Sequence, residues 1–423
     1  MKTLSIRGGD ADAGFGRYLA AALAARFASE GVGIALVLLA LERTGDAAHG
    51  AFVLTAWLAP HVLAAPLAGA AAARVRRPRL FYVGALAGFT TAVATLAVLL
   101  GRAPTPVVLA VAVAGGCCGP MVTGGLSSLV AGLVPAGPGR DRAYAWDAST
   151  YNAAAVTAPA VVSLVAATGS AGPAMGLLAG AGALAAVCAT TLRYAMPERA
   201  PRGPGLGAGL VALWRVPELR AITGATTLAF VGIGALTTTS VLFATALGSP
   251  GAGGVLMTAF ALGALTGSLG VARLSAARAP FSPGLLARWA LAGTGVALAG
   301  AAFAPSLPVA AAAFAVAGVC DGPLLTATLR IRAAYAPEAV RTQVFTLGAG
   351  LKVTAASAGA ALAGLAAGAP PQVLLLVVAA LQLAAAVLHV SVRPGAIRAS
   401  GAATAPSEGS ATAAAGRRIP GAP

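Results

Sequence analysis

Apolar residues in this chain neither alternate nor recur with the period of a half-buried helix; they run on. Blocks of about 20 residues rich in Ala, Leu, Val and Gly are separated by short polar stretches. The pattern predicts spans at roughly 18–41, 50–72, 80–101, 107–134, 143–168, 173–193, 221–246, 251–272, 284–304, 308–329, 343–368 and 371–391. At about 1.5 Å rise per residue, each is long enough to cross about 30 Å of hydrocarbon. Barrel strands would alternate over roughly 10 residues, which these blocks do not. The expected fold class is therefore all-α integral membrane.

Composition agrees. Of 423 residues, 58% are hydrophobic and 9% charged, where a soluble domain carries about 25% charged residues. A soluble fold could not cover that much apolar surface. In lipid, backbone groups must be satisfied internally, so helices are the solution. The formal net charge of +16 does not point to nucleic acid, because the arginines sit in loops on alternate sides. One set of loops, with both tails, carries 24 of the 28 basic residues. The other set carries only Arg43 and Arg102. That asymmetry places both termini in the cytoplasm. The preference for Arg over Lys points to a GC-rich bacterium, hence a bacterial inner membrane. The stretch from Met1 to Arg17 has no apolar core followed by a cleavage site, so no signal peptide is expected. Cys117, Cys118, Cys188 and Cys320 all fall in spans, and no metal-ligand spacing occurs, so neither disulfide, metal nor cofactor is expected.

The longest internal connection, basic and rich in Pro and Gly, covers 194–220 and divides the chain. The expected domains are a cytoplasmic tail at 1–17, six-helix bundles at 18–193 and 221–391 around that linker, and a disordered cytoplasmic tail at 392–423. An internal repeat supports two related halves. Val113 to Pro120 reads VAGGCCGP and Val316 to Pro323 reads VAGVCDGP. Thr123 and Thr326 follow at the same offset, and the end of span 2 resembles the end of span 8. The expectation is about twelve transmembrane helices in two pseudo-symmetric six-helix bundles, with a binding site between them near the midplane. Pro120 and Pro323 are the expected helix kinks.

These features together resemble the major facilitator superfamily, particularly its twelve-span bacterial exporters, over about residues 15–391. The turn after span 2 in that family reads Gly-x-x-x-Asp-Arg with further basic residues. Here Gly69 is followed by Arg74, Arg76 and Arg77, with Ala73 at the acid's position. The antiporter signature of span 5 is matched only in small size, by Ala158, Pro159 and Ser163. The segment from Arg140 to Asn152 is similar to the start of span 5 in such exporters. The resemblance implies a cytoplasmic gate built from Gly69, Arg74, Arg76, Arg77, Asp147 and Arg273, with Asp147 latching onto Arg273. Local capping by Asp147 stands as the alternative.

Charge at bilayer depth is costly, about 2.5–3.5 kcal/mol on insertion scales, so each one needs a reason. Counting helix rise from the nearest loop arginine puts Arg26 and Asp321 about 13 Å deep, Lys352 about 16 Å and Glu30 about 20 Å. Arg26 and Glu30 are spaced to share one helix face. Two readings stand. In one, Asp321 and Glu30 carry protons while Lys352 and Arg26 act as partners or substrate contacts. In the other, the four form ion pairs that fix helix register. Tyr151, Asn152, Thr237 and Thr238 are the candidate cavity-lining residues. His61, beside Pro60, reads as a satisfied buried histidine more than as a relay.

The functional expectation is a secondary active transporter. It moves a small amphipathic or lipophilic molecule by alternating access, with efflux driven by the proton gradient. Uptake, facilitated transport, or a transport-inactive sensor or scaffold are the alternatives. A membrane enzyme is not expected, because no metal-binding acid pair, His cluster or Walker loop is present. The expected partners are the substrate and the bilayer, without nucleic acid, and the expected state is a monomer.

Overall fold

A computed structural model describes residues 8–45, 47–75, 77–192, 205, 207–249, 252–277, 282–366 and 368–392. Among these, twelve helical segments are long and apolar enough to cross a membrane. Spans 1 to 6 are Gly14–Thr44, Phe52–Ala72, Arg79–Leu99, Thr105–Leu133, Pro138–Ala166 and Ala171–Thr190. Spans 7 to 12 are Pro217–Ala246, Gly253–Leu274, Pro283–Ala301, Leu307–Tyr335, Glu338–Leu365 and Pro371–Ser391. The chain is an all-α membrane protein, as the apolar pattern predicts.

Local sequence sets the ends. Pro78, Pro138, Pro217, Pro283 and Pro371 stand in the first turn of their helices. There a missing N–H leaves no intrahelical bond unmade. Gly45, Gly101 and Gly248 adopt positive φ just past helix ends, which a side chain would resist.

The two halves repeat one packing scheme. Span 1 packs on spans 2, 5 and 6, span 3 on 4 and 6, and span 2 on 4. Six spans later the same pairs recur: 7 on 8, 11 and 12, 9 on 10 and 12, and 8 on 10. Contacts between halves also come in symmetric pairs, span 2 on 11 with 8 on 5, and span 4 on 11 with 10 on 5. On the arginine-rich side the halves share one apolar core. Leu329, Ala333 and Phe345 from the C-terminal half join the cluster built by spans 1 to 6. Around Phe243, Leu256 and Phe314 the C-terminal half has a core of its own, with no residue from the other half. The halves are thus packed together on the arginine-rich side, and Glu30, exposed at mid-span and within Coulombic reach of Lys352 in the other half, marks a cleft between them beyond that packing.

Several sequence expectations change in detail. The first helix begins at Gly8, inside the segment read as a tail. The linker includes a helix, Ala208–Arg215. It docks on span 11 through the Gly209 N–H, which donates to Gln343 Oε1 at 2.7 Å. The tenth span runs to Tyr335, so Arg330 and Arg332 lie in a helix and are buried, not in a loop. The two proline kinks differ. After Pro120 the helix widens into a π turn, Met121–Gly125, whereas Pro323 sits inside a continuous helix. The disordered-tail assignment at 393–423, the tail at 1–7, and linker residues 194–204 and 206 lie outside the described residues.

Candidate functional site

The four midplane charges separate into two groups. Arg26 is fully buried, and its guanidinium pairs with Asp147 Oδ1 at 2.8 Å, not with Glu30. Arg26 also donates to the Asp147 carbonyl at 2.8 Å, to Ser127 Oγ at 2.9 Å, and to Thr150 Oγ1. Its guanidinium carbon stands 3.6 Å above the Tyr151 ring. Asp147 is equally enclosed. Tyr18 donates to Oδ1 at 2.5 Å and Ser127 to Oδ2 at 2.7 Å. Spans 1, 4 and 5 are thereby tied together by a charged pair whose donors and acceptors are almost all met, with Arg26 Nε the exception.

This corrects two expectations. Arg26 belongs to an ion pair inside the N-terminal half, because span 5 brings Asp147 to it across 121 residues of sequence. Asp147 does not meet Arg273, which is exposed at the end of span 8. A different pair spans the halves on the arginine-rich side. Arg330 Nε and Nη2 each donate to an Asp141 oxygen at 2.8 Å, joining span 10 to span 5. Nearby, Tyr144 and Phe345 rings lie 6.2 Å apart, and Ser128 Oγ meets Thr342 Oγ1 at 3.2 Å. Gly69 is buried where span 2 meets Gln343 and Thr346, and Gly124 lies on the Phe345 backbone. Any side chain at either position would collide with span 11. Arg74 and Arg77 are exposed, and Arg76 lies outside the described residues.

The second group faces the cleft. Glu30, on span 1, is exposed although it stands mid-span, and it lies within Coulombic reach of both Arg26 and Lys352. Lys352 is half-buried on span 11, with its ammonium 4.6 Å from the Phe230 ring centre. Asp321, on span 10, is half-buried and within Coulombic reach of Lys352, and its Oδ1 has no hydrogen-bond partner among the described residues. The ion pairs among the described residues are Arg26–Asp147, Arg330–Asp141 and Arg341–Glu338. Asp321, Glu30 and Lys352 are in none of them. Arg332, which the sequence reading left among the loop bases, is buried next to this group. It is 2% exposed and lies within Coulombic reach of Lys352 and Tyr151.

Other expected lining residues are placed as follows. Tyr151 is half-buried beneath Arg26, its hydroxyl 3.3 Å from Ser127 Oγ. Asn152 donates to the Ala264 carbonyl at 3.3 Å and so fastens span 5 to span 8. Thr237 is exposed and Thr238 half-buried on span 7. His61 is buried, its Nδ1 3.1 Å from the Leu58 carbonyl. An apolar pocket of about 650 Å³, lined by Pro60, Leu63, Leu67, Phe81, Val113 and Cys117 among others, contains no charge and lies apart from the cleft. No cluster of His, Cys, Asp and Glu that could hold a metal occurs among the described residues.

Two six-helix bundles related by an internal repeat, with charged side chains facing a cleft between them, define a multi-pass membrane transporter. The chain belongs to the Major Facilitator Superfamily, whose family model matches residues 18–288. Solved structures share the fold. A bacterial homologue of the iron transporter ferroportin in an outward-facing state superposes with a TM-score of 0.74 at 16% identity, covering 90% of this chain and 99% of that one. The fucose:proton symporter of E. coli gives 0.69 at 13%, covering 90% and 98%. A human organic anion transporter gives 0.63 at 17%, also covering 90% and 98%. No curated protein matches the sequence.

Proposed function

We propose that this chain is a proton-coupled secondary transporter. It exports a small amphipathic molecule across a bacterial inner membrane, with both termini in the cytoplasm. The observation that carries the reading is Asp321. It is a carboxylate at mid-membrane depth whose Oδ1 has no hydrogen-bond partner, and which stands in no ion pair, among the described residues. An acid at this depth without a fixed partner has no structural use that offsets its desolvation, whereas a proton carrier needs to exchange partners during the cycle. Glu30, across the cleft and within reach of Lys352, is the second exchangeable acid. On this reading the present state is outward-open, and the Arg330–Asp141 pair is part of the closed cytoplasmic gate. The export direction rests on the sequence resemblance. No cofactor is invoked; the proton gradient supplies the energy.

A second reading is that proton and substrate move together, and the pair of cations Lys352 and Arg332 favours it. A substrate that neutralises these cations would make it easier for Asp321 to accept a proton, so the two would load cooperatively. One experiment separates the readings. The full chain is reconstituted into vesicles holding a pH-sensitive dye, and gradients of lipophilic acids, bases and neutral compounds are imposed. Exchange moves protons against the substrate and co-transport moves them with it. Asp321→Asn should abolish either signal. Compound movement with no proton movement would sink proton coupling.

A further inference from the structure

We infer that Arg332 is a substrate-binding residue that takes a carboxylate of the transported molecule at the floor of the cleft. The inference rests on reading the cleft as the substrate site, but not on the direction of transport. Among the described residues, Arg332 Nε and Nη2 have no hydrogen-bond partner, and the residue is 2% exposed. These two atoms form the edge of the guanidinium that receives a carboxylate with two parallel bonds. The same chain displays that use two residues earlier, where Arg330 Nε and Nη2 bind the two oxygens of Asp141, both at 2.8 Å. One arginine edge is filled by a protein carboxylate, and its neighbour's identical edge meets no acceptor among the described residues.

The side chain reaches inward. Arg332 is three residues from the end of span 10, so its Cα lies about 4–5 Å from that end. Its guanidinium packs on Gly348. Gly348 is seven residues into the helix that begins at Arg341, or about 10 Å along it. The charge therefore sits deeper than its own backbone, one turn below Lys352. Gly348 makes this possible, because a side chain there would occupy the guanidinium's place. Two cations one turn apart repel, and neither is in an ion pair with an acid among the described residues. A carboxylate between them relieves both the repulsion and the unmet donors. Phe230 beside Lys352 offers an apolar surface for the rest of the molecule. The ligand class is thus an amphipathic organic acid.

The test uses the purified full chain in detergent and matched probes, 1-naphthoate and its uncharged amide, with decanoate and benzoate as further acids. Binding is read as thermal protection across a concentration series. The acid should bind and the amide should not. Arg332→Gln should weaken acid binding at least tenfold. Gly348→Val, which leaves every charge in place but displaces the guanidinium, should do the same. Arg332→Lys should fall between, since it keeps the charge without the two-donor edge. Each variant's own melting temperature checks that it is folded. The proposal is overturned if no acid binds, if amide and acid bind alike, if Arg332→Gln leaves acid affinity unchanged, or if phosphatidylglycerol displaces the acid and so claims the edge for a lipid. Acid binding without any proton flux in vesicles would instead remove the coupling reading and leave this site standing.

Discussion

The two halves repeat one packing scheme but, Glu30 apart, hold their mid-membrane charge in opposite ways. In the N-terminal half, Arg26 and Asp147 are wholly enclosed, and Tyr18, Ser127, Thr150 and Tyr151 meet nearly every donor and acceptor. In the C-terminal half, Asp321 and Arg332 keep polar atoms unmet, and Lys352 rests on an aromatic ring. Span 4 breaks into a π turn after Pro120 while span 10 runs straight through Pro323. A satisfied buried pair fixes geometry; unsatisfied groups at the same depth are available to a ligand or a proton. The fold's symmetry therefore does not extend to its chemistry.

The largest effect that tests this contrast is on stability. Removing one partner of the enclosed pair, by Arg26→Met or Asp147→Leu, should cost about 3–5 kcal/mol, because a lone buried charge remains. The double variant should recover much of that loss. Thermal unfolding of the four proteins checks it. If the single variants melt like wild type, the pair is not the brace described here. Asp321→Asn comes next. It should change stability by less than about 1 kcal/mol, since no bond is lost at Oδ1, yet reduce substrate-linked proton flux at least tenfold. Unimpaired flux would move the proton carrier elsewhere, with Glu30→Gln the variant to examine.

A smaller effect is expected at the closed side. Arg330→Gln removes the two bonds to Asp141 between spans 10 and 5. Asp141 is about a third exposed, so screening limits the change to about 1 kcal/mol. That is roughly a fivefold shift toward opening on the arginine-rich side. It is measurable as faster labelling of a cysteine placed at Thr342, which now touches Ser128. Smallest of all is Pro323→Ala. Because the helix is already continuous there, its path should not change, and the restored N–H should leave stability equal or higher. Pro120→Ala should do more, since it restores an N–H where the π turn begins.

The sequence made much of this legible and hid the rest for identifiable reasons. Apolar run length located all twelve spans, because lipid imposes one length on each. Rarity of charge at depth singled out Arg26, Glu30, Asp321 and Lys352. Partnership was not readable. Arg26 and Asp147 are brought together by the packing of spans 1 and 5, and no local spacing reports a contact across so many residues. The nearer spacing of Arg26 and Glu30 suggested a false pairing, since Glu30 turns to the cleft. Arg332 was missed because Arg330, Arg332 and Arg341 together look like a loop. The available signal was the apolar run Ile331, Ala333 and Ala334 around it, which carries the helix on to Tyr335.

The cleft-facing group has an electrical consequence. With all four ionised, Arg332 and Lys352 balance Asp321 and Glu30, so an empty carrier presents no net charge to the membrane field. Protonating Asp321 leaves one uncompensated positive charge, and an organic anion on Arg332 cancels it again. Moving one elementary charge through the full field is worth about 2.3 kcal/mol per 100 mV. On the co-transport reading, the empty and the fully loaded carriers should therefore reorient without regard to voltage, while the protonated, unloaded one should be held back or driven by it.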